Sequence, residues 1–229
     1  MYHDVKNQEF LRAMKRDCAD LINQLVQRIN NDGYMEVRAE LVGSGKRGLI
    51  TQNGQEPIDL DYNLEILKSQ SWNAKFIKEY VRKQFNAILQ KNDAADCQDS
   101  TSALTTECWY FKKWPTLKYS IDLAIVMEDS LGWHRLIHSK TGFTSFDRWY
   151  WNQIPNSSEI FEKASRLKKD NLYQHVHNRY LEKKNEYLTR NDHNHPSFIV
   201  YIETINEVFD KFYRSNGWSS LEGKRYVRK

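Results

Sequence analysis

The chain has 229 residues, 40% of them hydrophobic and 13% aromatic, with a formal net charge of +4. That apolar content excludes disorder along the whole length, and the length suits one large domain or two small ones. A charge balance this mildly basic permits a polyanionic ligand without requiring one.

The opening MYHDVKNQEF has no apolar core of a secretory signal. No run approaches the ~18 apolar residues of a membrane span. Three cysteines, Cys18, Cys97 and Cys108, form an odd set without paired spacing, as expected of free thiols in a reducing compartment. The expectation is a soluble, cytoplasmic protein that does not engage a membrane.

Residues 7–31 carry a helical period through Phe10, Met14, Cys18, Leu21, Ile22, Leu25 and Ile29. Asn31, Asp32 and Gly33 stop it. Residues 35–42 alternate as a strand, with Val37, Ala39 and Leu41 against Glu36, Arg38 and Glu40. A loop over 45–57 leads to a second strand over 58–66, with Ile58, Leu60, Tyr62, Leu64 and Ile66 on one face. Ser71 is placed to cap a helix running to about Lys91, with Phe76, Val81, Phe85, Ile88 and Leu89 inward. Residues 103–112 and 117–127 read as two strands joined by a hairpin at Pro115, which cannot pair within a sheet. Residues 130–155 are aromatic and irregular, and 157–190 and 196–215 are helical. The last helix carries Phe198, Ile202, Ile205, Phe209 and Phe212 on one stripe, with Pro196 in its first turn. The basic stretch 224–229 reads as a solvated tail. The expected organisation is a mixed sheet-and-helix region over 1–130 and a mainly helical region over 131–229.

Three aspartates stand where carboxylates are costly unless a positive partner meets them. Asp59 and Asp61 are two apart on the second strand and so share a face, with Cα atoms roughly 7 Å apart. Asp122 interrupts the apolar run Ile121-Asp122-Leu123. Oxygen donors so arranged suit hard divalent cations. Ahead of them stands Val42-Gly43-Ser44-Gly45-Lys46-Arg47-Gly48. Gly43 permits close backbone approach, Ser44 offers a hydroxyl and an amide, and a helix beginning after the turn would favour an anion. The lysine and Ser/Thr that end a Walker loop are absent. A Gly-Ser-Gly turn or an Asp-x-Asp pair alone is commonly structural; the two in succession, with a third acid on a later strand, form a site.

At these residues the chain resembles the DNA polymerase β-type nucleotidyltransferase superfamily, whose signature is an apolar residue with Gly-Ser, then an acid-x-acid pair, then a third acid on a later strand. Here it reads Val42-Gly43-Ser44, Asp59-Leu60-Asp61 and Asp122. The flavour is that of the bacterial oligonucleotide-cyclase and oligoadenylate-synthase-like branch. The resemblance implies an α+β fold, with a small mixed sheet flanked by helices and a helical C-terminal lobe. It implies transfer of a nucleoside monophosphate from a nucleoside triphosphate to a hydroxyl, with release of pyrophosphate and two Mg²⁺ or Mn²⁺ ions. Asp59 and Asp61 would bind both metals, and Asp122 the one nearer the acceptor. Gly43 and Ser44 would hold the triphosphate, with Lys168 or Lys169 from the helical lobe. One of Trp149, Tyr150 and Trp151 would stack on the base. The acceptor is left open among a nucleotide, an RNA end, a small molecule and a protein, with a toxin-like transferase that blocks a cellular RNA or protein as a further possibility. The alternative is a catalytically inactive nucleotide- or RNA-binding sensor of the same fold, against which the complete acid trio argues.

The histidines carry less. His134 and His138 are four apart on what reads as a helix, but the glutamate of the zinc-protease motif is missing. His175 and His177 cannot face each other on a helix. His193 and His195 sit in a polar loop before Pro196. Ser44 has no visible base to make it a nucleophile.

Overall fold

The computed structural model of the chain describes residues 1–192 and 195–214; His193 and the basic stretch 224–229 lie outside them. In chain order its elements are β1 (Tyr2–Asp4), α1 (Gln8–Asp32), β2 (Met35–Leu41), α2 (Gly43–Arg47), β3 (Thr51–Asn53), β4 (Ile58–Ser69), α3 (Ala74–Lys91), β5 (Gln98–Asp99), β6 (Leu104–Thr105), β7 (Trp109–Tyr110), β8 (Lys118–Asp129), β9 (Gly132–Ser139), β10 (Arg148–Gln153), α4 (Ser158–Lys169), α5 (Tyr173–Thr189) and α6 (Ser197–Phe209). The described residues form two compact units, one of Asp4–Asn156 and one of those from Ser157 onward together with Met1–His3. The fold class is α+β, as expected.

In the larger unit the sheet runs β10-β9-β8-β4-β2. β4 and β8 are parallel, and the other long pairings are antiparallel. β6 and β7 pair with the first half of β8, where β9 has not yet joined it. The alternation of β4 sends Ile58, Leu60, Tyr62, Leu64 and Ile66 into the core, where they meet Ile121, Leu123 and Ile125 of β8. α1 and α3 complete that core with Phe10, Met14, Leu25, Ile77, Val81 and Phe85, all of them buried. The side chain of Asn7 caps α1 at the Phe10 N–H, and left-handed Gly33 ends it. α3 is capped by Asn73 rather than Ser71, and Phe76 lies outside the core against Tyr34 and Tyr80. The expected strand over 103–112 is two short pieces, because each reaches β8 separately.

The expected boundary at 130/131 is corrected to 156/157. β9 and β10 extend the sheet, where an irregular aromatic segment was expected. Their alternation was hidden because it is chemically inverted. His134 and His138 take buried positions on β9, while Trp133 and Ile137 take the half-buried ones. The two histidines therefore stand on a strand and not on a helix. Trp149 and Trp151 pack toward the core and Tyr150 faces outward.

The smaller unit is helical. The expected helix over 157–190 is two, α4 and α5, separated at Asn171, whose φ of 59° no helix continues. Val176 and Tyr180 of α5 and Val200, Tyr201, Ile205 and Val208 of α6 are buried. The expected α6 stripe is thereby rotated, with Phe198, Ile202, Phe209 and Phe212 half-buried. Lys183 is buried and pairs with Glu203 at 3.2 Å and Glu207 at 2.6 Å. Among the described residues no helix is long and apolar enough to cross a membrane.

Candidate active site

The three aspartates share one face of the sheet. Asp61 stands directly beside Asp122 across the parallel β4–β8 ladder, and Asp59 stands beside Ser120. Partners in register project to the same side. Because Leu60 and Ile121 fill the core, the acids occupy the opposite face.

Two of the three carboxylates are held by hydroxyls. Ser120 Oγ donates to Asp59 Oδ1. Thr105 Oγ1 donates to Asp122 Oδ1 at 2.5 Å. The Asp61 carboxyl is pushed up to about 6, first by burial, then by the neighbouring charges of Asp122 and Asp59. Arg47 and Arg135 pull it back only in part. The Asp122 carboxyl is raised as well, by burial and by Asp59, against the opposing Thr105 hydrogen bond. Negative charge is thus crowded here beyond what the protein compensates. Arg135 of β9 is half-buried, and among the described residues its Nε has no hydrogen-bond partner.

The glycine turn closes over Asp61. The Val42 N–H donates to the Asp61 carbonyl at 2.8 Å, extending the β2–β4 ladder by one residue. Gly43 then turns with φ of 61°, which favours glycine. A Cβ at Gly43 would overlap the Asp61 carboxylate, coming within 2.8 Å of its Cγ. Only a glycine lets the backbone lie against the acid this closely. α2 therefore begins at Gly43 itself, and its last turn is fixed by Gly48 and Leu49 N–H groups donating to the Ser44 carbonyl. Lys15 of α1 donates to the Gly45 carbonyl at 2.8 Å. The Ser44 side chain is half-buried and takes no protein partner among the described residues. Lys46 is drawn aside to Glu40.

Lys168 and Lys169 lie in the last turn of α4 and are exposed; the Lys168 ammonium sits 4.5 Å from the Tyr173 ring centroid. Trp149 stacks on His138 with centroids 4.1 Å apart, and Trp151 donates its ring N–H to the Trp72 carbonyl. Both belong to the sheet unit and not to the helical one.

The chemistry of the donor set fits a hard divalent cation, since all three side chains are oxygen ligands on one face with charge to spare. Among the described residues no three His, Cys, Asp or Glu side chains are gathered closely enough to hold a metal ion by themselves. The hydroxyl bonds account for one oxygen each of Asp59 and Asp122 and leave the second.

Sequence reasoning missed Thr105, Ser120 and Arg135. Ser120 was within reach, because it stands two before Asp122 and shares its face. Thr105 and Arg135 come from strands whose register against β8 no local pattern encodes.

No family model and no curated protein matches this sequence. Solved structures do. E. coli MS115-1 CdnC in its complex with HORMA-deltaN is 13% identical, with 92% of this chain and 60% of that one covered and a TM-score of 0.56. CdnC with ATP gives 13%, 90%, 66% and 0.54. Vibrio cholerae DncV cyclic AMP-GMP synthase, in complex with a linear intermediate, gives 12%, 76%, 47% and 0.53. The chain thus spans about 60% of the first of these proteins and about half of DncV. At this identity the likeness is one of fold. The chain has the fold of the bacterial CD-NTases, which are polymerase β-type nucleotidyltransferases.

Proposed function

We propose that the chain is a nucleotidyltransferase that moves a nucleoside monophosphate from a nucleoside triphosphate to a hydroxyl acceptor. The observation that carries this reading is the register of Asp61 beside Asp122, with Gly43 laid against the Asp61 carboxylate. The fold supports it, and so do the nucleotides named with its structural neighbours, ATP with CdnC and GTP with DncV.

Asp59, Asp61 and Asp122 would hold Mg²⁺ or Mn²⁺, two ions in the full site, with nucleotide phosphates and water completing the ligands. When bound, such ions would make an attacking hydroxyl more acidic and stabilise charge on a leaving pyrophosphate. The acceptor oxygen bonds to the α-phosphorus as the bond from that phosphorus to the α–β bridging oxygen breaks. The acceptor proton leaves to solvent, and Asp122 steers that hydroxyl. Gly43 amide and Ser44 hydroxyl donate to the triphosphate, and the roles proposed for Lys168 and Lys169 are to neutralise its charge. Arg135 offsets part of the acids' charge.

Incubation of the full chain with each nucleoside triphosphate and Mg²⁺ or Mn²⁺ tests the proposal. Pyrophosphate release is expected from the wild type, with a loss of about a thousandfold or more in Asp122→Asn. Nucleotide binding without release in the wild type would replace the enzyme by a sensor.

A further inference from the structure

A hydroxyl relay runs from the buried charges under α3 to Asp122, and the acid trio does not account for it. Thr105 Oγ1 lies 2.5 Å from Asp122 Oδ1 and 3.1 Å from Ser100 Oγ. A hydroxyl carries one proton. A carboxylate can only accept, so the Thr105 proton goes to Asp122 and Ser100 must donate to Thr105. The relay therefore has one direction, from Ser100 through Thr105 to Asp122.

Its outer end is fastened. The Lys78 ammonium donates to the Ser100 carbonyl at 2.6 Å and pairs with Asp99 Oδ1 at 2.7 Å, its side chain only 3% exposed. His138 Nδ1 meets Asp99 Oδ2 at 2.7 Å, and the His138 backbone N–H donates to the Thr101 carbonyl at 2.8 Å. The Ser100 N–H closes the β5–β6 hairpin on the Ala103 carbonyl at 3.0 Å. The inner end is fastened too. Thr106 exchanges two bonds with Ile121: its N–H donates to the Ile121 carbonyl at 3.0 Å, and its hydroxyl oxygen accepts from the Ile121 N–H at 2.9 Å. Thr105 is held from both sides at the level of Asp122.

We propose that Thr105 is a positioning residue for Asp122, oriented by Ser100, and that the β5–β6 hairpin exists at this point of β8 to present it. The inference rests on the nucleotidyltransferase reading of the same site. Thr105 fixes which way the carboxylate turns, leaving Oδ2 for an ion or an acceptor hydroxyl. A residue in this place acts on turnover more than on nucleotide affinity, because Asp122 serves the acceptor side.

Three variants of the full chain test it: Thr105→Val, which keeps the shape and removes the donor, Thr105→Ser, which restores the donor, and Ser100→Ala. Each is assayed for pyrophosphate release and, separately, for binding of Mn²⁺ alone by calorimetry. In Thr105→Val, turnover is expected to fall about tenfold or more, with KM for the nucleotide within about twofold and Mn²⁺ affinity weakened about tenfold. Thr105→Ser stays within about twofold of the wild type, and Ser100→Ala falls about threefold, as a partner one bond further out. Wild-type turnover and Mn²⁺ affinity in Thr105→Val would overturn the proposal, as would Thr105→Ser damaged as badly as Thr105→Val. If Thr105→Val fails to fold, Ser100→Ala decides alone, and unchanged turnover and Mn²⁺ affinity there overturn the relay. A wild type without turnover whose Mn²⁺ binding is still weakened by Thr105→Val defeats the transferase reading and keeps the positioning role. A wild type with neither turnover nor Mn²⁺ binding defeats both.

Discussion

The two faces of β4 and β8 are built from the same strands and do opposite things. On one face Leu60, Leu64, Ile121 and Leu123 are completely buried against α1 and α3. On the other, one residue along, Asp59, Asp61 and Asp122 stand side by side with their charge only partly balanced. The first face stabilises the fold and the second weakens it, a local conflict of the kind that proteins keep at functional sites. The strands tolerate this because a period of two separates the roles cleanly, so that stability and chemistry never compete for one position.

Substitutions on the two faces should then differ in kind. The largest effect on stability is expected on the apolar face. Leu64→Ala, at a fully buried site in the central strand, should cost about 4 kcal/mol in urea unfolding, with divalent-ion binding retained at temperatures where the variant is folded. The opposite sign is expected on the acid face. Asp61 has a folded-state pKa of about 6, above the usual carboxylate range, so the folded apo protein holds that proton more tightly than the unfolded chain does. The favourable contribution is complete below about pH 4 and is lost as pH rises through about 6, which amounts to about 3 kcal/mol. Asp61→Asn removes this dependence. In chelator at pH 7.5 it should be the more stable protein by about that amount, and at pH 4.5 the gap should narrow; a variant less stable than the wild type at pH 7.5 would show that the acid face is not under charge strain. Smaller still is the effect at Thr105, whose tenfold expectation corresponds to about 1.4 kcal/mol.

Much of this contrast is legible in the sequence. The alternation of 58–66 separates Leu60 and Leu64 from Asp59 and Asp61 without any structure, and the apolar neighbours of Asp122 mark it as out of place. The period of α1 gives its buried face residue by residue. β9 and β10 were illegible for a physical reason. Buried His138 is satisfied by Asp99, distant in sequence, and buried His134 by the Gly132 carbonyl at the β8–β9 turn, so polar residues occupy core positions and reverse the pattern. Arg135 was hidden with them. Thr105 was hidden because a two-residue strand carries no period at all, and its value lies wholly in the register against Asp122.

The proposed chemistry requires the acid face to gather divalent ions around a nucleotide. Crystals of the full chain grown with Mn²⁺ and a non-hydrolysable ATP analogue test this most directly, through the anomalous signal of the metal. The expected result is Mn²⁺ density bridging Asp61 and Asp122, shared with Asp59 and with the triphosphate beneath Gly43 and Ser44. A triphosphate bound elsewhere, or Mn²⁺ that avoids all three carboxylates, would contradict it.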